Sequence, residues 1–123
     1  MARSTSRRWL HVEPVGDVSV VKFTQPDILD LEVIRVLGEQ LLGLVDPGRR
    51  IVLNFEQVQR LSTALVGKVV ALHQRLKDQG GQLAMCRVAP HLREALELLK
   101  LPRFVPIYAE EREALEKMEQ VKS

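Results

Sequence analysis

Ile51-Val52-Leu53-Asn54-Phe55-Glu56-Gln57-Val58-Gln59-Arg60-Leu61-Ser62-Thr63-Ala64-Leu65-Val66-Gly67 is the stretch that decides the fold. Residues 51–55 are a compact apolar run, rich in branched side chains and broken only by Asn54. That composition fits a strand buried on both faces in the middle of a sheet. A polar segment follows, and apolar residues then recur at Leu65, Val69, Leu72 and Leu76, which is helical spacing and predicts a helix over 63–79. Gly80-Gly81 supplies the left-handed stop, and Lys77 in the last turn suits the negative end of the helix dipole. Residues 82–88 form the next apolar run and predict another buried strand. Strand, helix and strand in this order imply parallel pairing through a right-handed crossover.

The pattern extends in both directions. Upstream, Leu10, Val12 and Val15 precede Gly16-Asp17, and Val18, Val20, Val21 and Phe23 follow it. Two β-rich runs around a short Gly-containing turn predict a hairpin. Residues 24–26 end in a proline, and 30–45 then carry Leu31, Ile34, Leu37, Leu41 and Leu44 at steps of three and four, an amphipathic helix closed by Asp46-Pro47-Gly48. Downstream, Pro90 opens a helix through Leu92, Ala95, Leu96 and Leu99, proline being tolerated in the first turn. Pro102 blocks further helix, 104–108 predicts a short strand, and 110–121 a charged final helix. The expected architecture is α/β in the order ββαβαβαβα. It has a mixed sheet of an N-terminal hairpin plus parallel strands, and about four helices.

At 123 residues the chain fits one domain, since domains cluster at roughly 100–200 residues. That domain is expected over 9–123, behind a flexible tail at 1–8. Hydrophobic residues at 46% and charged residues at 28% are ordinary for a folded domain and exclude a disordered chain. A net charge of +2 does not argue for nucleic acid. Arg3, Arg7, Arg8, Arg49 and Arg50 share no helical face, and aromatics at 4% leave little to stack on bases. No apolar run approaches the ~20 residues of a membrane span, and the polar N-terminus lacks a secretory apolar core, so a cytoplasmic location is expected. Cys86 is the sole cysteine and has no intrachain partner.

Catalytic signatures are missing. No G-x-S-x-G elbow occurs, and His11, His73 and His91 fall on different elements with no metal-ligand spacing. Cys86 lies inside an apolar strand, poorly placed for a thiolate. Gly80-Gly81 ends a helix and opens a strand, the reverse of a phosphate cradle. No catalytic residue, metal or cofactor is expected, and the chain is read as a non-enzyme.

The informative place is the loop between the strand at 51–55 and the helix from Thr63. Two adjacent hydroxyls, Ser62 and Thr63, sit at a helix start beyond a strand's C-terminal end, the edge where open α/β sheets bind ligands and partners. One reading is a simple N-cap at Ser62. The other is a phosphate acceptor at Thr63. A phosphate there is favoured by the helix dipole and adds about −1.5 to −2 charges, enough to expel a partner docked on that spot.

Across this loop and helix the sequence resembles a STAS domain of the anti-sigma factor antagonist type. The residues that carry the resemblance are 51–56, Val58, Leu61 to Ala64 and Gly67, then Leu72, Leu76-Lys77, Gly80-Gly81, Leu83, Cys86, Val88, Pro90, Leu96, Leu101 and Phe104, in order over almost the whole chain. The resemblance implies a regulator that binds a cognate anti-sigma factor, itself a serine/threonine protein kinase. Phosphorylation by that kinase switches it, and a PPM-type phosphatase reverses the switch. The acceptor position carries over to Thr63, with Ser62 as the alternative. The partner-binding residues are expected to be Ser62, Thr63, Leu65, Val66 and Lys68. The family's usual Asp before the acceptor is Ser62 here, and its usual Gly two residues after it is Leu65. STAS domains also serve, unphosphorylated, as scaffold subunits of stress-signalling assemblies or as accessory subunits of lipid-transport ATPases.

Overall fold

A computed structural model describes residues 5–6 and 8–120. Among these the elements run β1 (Thr5–Ser6), β2 (Leu10–Val15), β3 (Val18–Phe23), β4 (Asp27–Ile28), α1 (Leu31–Leu42), β5 (Arg50–Asn54), β6 (Arg60–Leu61), α2 (Thr63–Asp78), β7 (Gln82–Cys86), α3 (Pro90–Leu98), a 3-10 turn (Leu101–Arg103), β8 (Ile107–Tyr108) and α4 (Glu111–Gln120). The main sheet has the order β1-β2-β3-β5-β7-β8. The β1–β2–β3 pairings are antiparallel, and β3–β5–β7–β8 are parallel. The mixed α/β architecture and its four helices are those expected. The hairpin closes through Val15↔Val18 around Gly16-Asp17, with Gly16 at φ 60. Most of the proposed tail at 1–8 lies outside the described residues; within it, Thr5 and Ser6 pair with Val12 and His11.

Alternation along the central strands divides the core into two layers. Val21, Phe23, Ile51, Leu53, Leu83 and Met85 join the helix stripes Ile34–Leu37–Leu41 and Leu65–Val69–Leu72–Leu76 on one face. Val18, Val20, Val52, Ala84 and Cys86 meet Ala114 and Met118 of α4 on the other. A strand buried on both faces has no polar side, which is why 51–55 and 82–86 lack the alternation of a surface strand.

Several boundaries differ from expectation. α1 starts at Leu31 because the Asp30 side chain accepts from the N–H groups of Glu32 and Val33, and it ends at Leu42. Leu31 is therefore not a core residue but 69% exposed, and Leu44 lies beyond the helix. β7 stops at Cys86 because Arg87 turns into the left-handed region at φ 57. The strand expected over 104–108 shrinks to Ile107–Tyr108, since 101–103 coils into a 3-10 turn and Pro106 has no N–H to pair. Two short strands, β4 and β6, form a separate parallel pair that the sequence reading did not anticipate.

The close of α2 follows the sequence signal. Gly80 at φ 76 donates to the Lys77 carbonyl, and Gly81 donates to that of Leu76 at 2.7 Å, the paired bonds of a Schellman stop. Among the described residues no helix is long and apolar enough to cross a membrane.

Candidate functional site: the β5–α2 edge

The parallel strands β3, β5 and β7 end at one edge, where the chain between β5 and α2 is held from several sides. Asn54, 4% exposed, is the buried polar residue of the core. Its Oδ1 accepts from the Glu56 N–H at 2.8 Å, and its Nδ2 donates to Glu111 Oε1 at 2.8 Å. Arg87, at the end of β7, spans the carboxylates of Glu56 and Glu110. Both pairings keep its guanidinium charged, that with Glu110 more strongly. The first turn of α4 is thereby tied to the loop. Val58 plugs the loop into the core cluster that also holds Phe23 and Phe55, whose ring centroids are 4.9 Å apart. The His91 Nε2 lies 2.7 Å from the Gln59 carbonyl, so the imidazole proton sits on Nε2 and donates across from α3.

The β4–β6 pair staples this loop to the one after β3. Gln59 and Arg60 both donate to the Pro26 carbonyl, and Ser62 donates to that of Ile28. Arg60 grips both carboxylate oxygens of Asp27 at 3.0 Å and holds that carboxyl below its usual range by hydrogen bonding and charge. The starts of α1 and α2 therefore share this edge, with Leu29 and Leu31 exposed at 44% and 69%.

Ser62 has extended backbone and is the N-cap of α2: its Oγ accepts from the Ala64 N–H at 3.1 Å and its carbonyl from Leu65 at 2.9 Å. Thr63, the first helical residue, is exposed. No acidic residue lies in the first turn of α2, where the helix dipole favours negative charge.

Of the five residues expected to meet a partner, Ser62 and Thr63 lie together at the edge and Lys68 is half-buried. The Lys68 stem crosses α1 so closely that a Cβ on Gly38 would sit 2.7 Å from its Cδ. Leu65 and Val66 correct the expectation: at 1% and 9% exposure they face the hydrophobic core and offer no docking surface. The apolar groups that do face outward here are Leu29 and Leu31. Cys86 is buried and its thiol is pushed up to about 12, chiefly by burial and then by the Glu111 carboxylate, so it holds its proton. Among the described residues no group of three or more His, Cys, Asp or Glu side chains converges to hold a metal.

The fold and this edge define a class. The family model of the STAS domain matches residues 10–114, and the chain belongs to that family. It is similar to a Bordetella bronchiseptica protein named as the anti-sigma factor antagonist BtrV, with 33% identity over 79 residues, 63% of this chain and 67% of the relative. It is also similar to the anti-sigma F factor antagonist of Paenibacillus polymyxa, with 30% identity over 71 residues, 58% of this chain and 61% of the relative. Among solved structures, an anti-sigma-factor antagonist (STAS) domain protein from Planctomyces limnophilus has the same fold. Its TM-score is 0.80 at 23% identity, covering 89% of this chain and 97% of that one.

Proposed function

We propose that this chain is a non-enzymatic anti-sigma factor antagonist acting in the cytoplasm through one domain, 9–123. It binds a cognate anti-sigma factor that is also a serine/threonine protein kinase. The docking face is the edge around Ser62, Thr63, Lys68, Leu29 and Leu31, and phosphorylation of Thr63 releases the partner. A PPM-type phosphatase restores binding.

The observation that carries this reading is the division of labour between the two hydroxyls. Ser62 spends its Oγ on the helix cap, whereas Thr63 stands exposed one residue later. A phosphate on Thr63 adds about −1.5 to −2 charges to a helix start, where the dipole favours an anion. The folded state tolerates it. A partner packed on Leu29 and Leu31 meets new charge that it must desolvate, and dissociates.

The test is affinity capture of the tagged chain from its own cell lysate with Mg-ATP and phosphatase inhibitors, followed by mass spectrometry of the bound proteins and of segment 60–68. A kinase-type anti-sigma factor with phosphate on Thr63 is the expected result. Thr63→Asp then weakens that complex without changing the melting point, and Thr63→Ala retains it. Phosphate on Ser62 moves the switch by one residue. An unmodified segment, with equal binding by all three proteins, removes it. The use of Ser62 in the cap favours one second reading: an unphosphorylated scaffold of a stress-signalling assembly, or an accessory subunit of a lipid-transport ATPase. Capture of such a complex would establish that reading.

A further inference from the structure

The far edge of the sheet contains a cleft that the β5–α2 site does not use. β8 pairs with β7 only through Met85↔Ile107 and Cys86↔Tyr108. Pro106 has no N–H to donate, and among the described residues no strand pairs with the first half of β7 on that side. Backbone alternation shows what is left open. Gln82 donates inward to the Arg49 carbonyl and Met85 outward to that of Pro106, so the Leu83 N–H points outward, past the end of β8. α2 covers one face of the sheet and α4 the other, and both overhang the place of the missing strand. The result is a cavity of about 250 Å³ between the two helical layers.

Its chemistry is one-sided. Leu83 and Ala84 form the floor, and Phe104, Tyr108 and Met118 supply carbon and ring walls. Phe104 is 51% exposed, with its ring centroid 6.2 Å from that of His73, a large apolar surface standing open at the mouth. The nitrogen groups are His73 and Lys77 from α2 and Lys117 from α4, and among the described residues no carboxylate lines the space. Neither lysine has an ion-pair partner among the described residues. Burial, and secondarily Lys77, holds the His73 imidazole below its usual range, so at neutral pH it is an uncharged ring with one N–H to donate.

We propose that this cleft is a binding site for a small carboxylic acid with an apolar body, the size of a one-ring aromatic acid. The two lysines and the outward Leu83 N–H receive the carboxylate, and the ring lies between Phe104, Tyr108 and Met118. Volume sets the class: a dry cavity of roughly 150 Å³ holds benzene, and the additional space here accommodates a carboxylate side arm. Charge sets the sign, because uncompensated ammonium groups beside an apolar wall attract an anion and gain nothing from a neutral or cationic ligand. The site is separate from the phosphate-acceptor edge. His73 and Lys77 lie ten and fourteen residues along α2 from Thr63, roughly 15–21 Å of helix.

The experiment is a titration of the ¹⁵N-labelled full chain with phenylacetate, followed by amide shifts, with acetate, inorganic phosphate and phenylacetamide as comparison probes. Phenylacetate is expected to saturate with Kd about 0.1–1 mM, with shifts centred on Leu83, Ala84 and Phe104. Acetate, phosphate and the amide should each bind at least about tenfold more weakly, since each lacks either the ring or the charge. The Lys77→Gln/Lys117→Gln double variant, altered only at exposed positions, should keep its melting point and lose about tenfold in phenylacetate affinity. Shifts that stay linear to about 10 mM overturn the proposal. So do equal affinity for phosphate or acetate, which would mean surface charge alone, and shifts centred on 62–68.

Discussion

Asn54→Asp isolates the link between the β5–α2 loop and α4, because it changes one NH₂ into one oxygen at constant shape. The Oδ1 that accepts from the Glu56 N–H keeps its role. The other oxygen replaces an amide that donates to Glu111 Oε1 at 2.8 Å, and so puts two carboxylates in contact beneath a surface where residue 54 is 4% exposed. At an effective dielectric of 20, like charges about 4 Å apart cost about 4 kcal/mol. Two carboxylates sharing one site raise the pKa of one of them. At about 1.36 kcal/mol per unit, a loss of about 3–4 kcal/mol at neutral pH corresponds to a rise of roughly 2–3 units. A domain of this size has about 5–15 kcal/mol of stability, so the variant still folds.

The pH dependence distinguishes this mechanism from simple loss of a hydrogen bond. The new carboxyl has its folded-state pKa raised above an unfolded value of about 3.9. Its folded form is therefore protonated over a range where the unfolded form is not. Relative to wild type, stability is nearly intact below about pH 4 and falls by about 1.36 kcal/mol per pH unit until the raised pKa is passed, near pH 6–7. Asn54→Leu instead leaves the Glu56 N–H without its acceptor and costs roughly 1–3 kcal/mol at every pH. Urea midpoints of the three proteins at about pH 4.5 and pH 7.5 read the difference directly. A penalty for Asn54→Asp that is the same at both pH values would refute the reasoning, because it would mean that Glu111 swings away into water and the buried contact carries no charge coupling.

Two glycines of the α2–β7 segment should respond in opposite directions. A Cβ on Gly81 would collide with the Arg49 carbonyl oxygen, so Gly81→Ala should cost about 2–4 kcal/mol. Gly67 meets open space within α2, so Gly67→Ala should gain about 0.5–1 kcal/mol, and similar melting points for the two variants would contradict both statements. Cys86 should resist alkylation at about pH 8 until the chain unfolds. Its thiol is pushed up to about 12. The stability it contributes is complete below the unfolded value of about 8.5 and declines as pH rises from there, a decline that Cys86→Ala abolishes in alkaline melts. Leu31→Ser should leave the melting point unchanged and weaken partner capture, whereas Leu65→Ala should cost about 2–5 kcal/mol from the core, and the reverse pattern would return Leu65 to the docking face.

The elements that the sequence discloses are those whose burial repeats with a period. Residues 51–55 and the stripe Leu65, Val69, Leu72 and Leu76 announce themselves because each buried side chain repeats its neighbour's environment. That same stripe already assigned Leu65 to the core, and its place in the first turn of α2 does not outweigh its register with Val69. Leu31 errs in the other direction. It falls in step with Ile34, but Asp30 caps the helix immediately before it, and a side chain at the free end of a helix has no element above to cover it. What positions the candidate site has no period at all. β4 and β6 contribute two residues each, and Asn54 meets Glu111 across a separation of 57 positions. The cleft beside β7 exists because β8 is short, and a strand that stops early leaves its mark on the surroundings rather than on its own residues. Both surfaces assigned a role here are thus ends of the sheet rather than faces of it. The layers are fixed by repetition, and the chemistry sits where repetition is interrupted by a cap at Ser62, a left-handed Arg87 and a proline at 106.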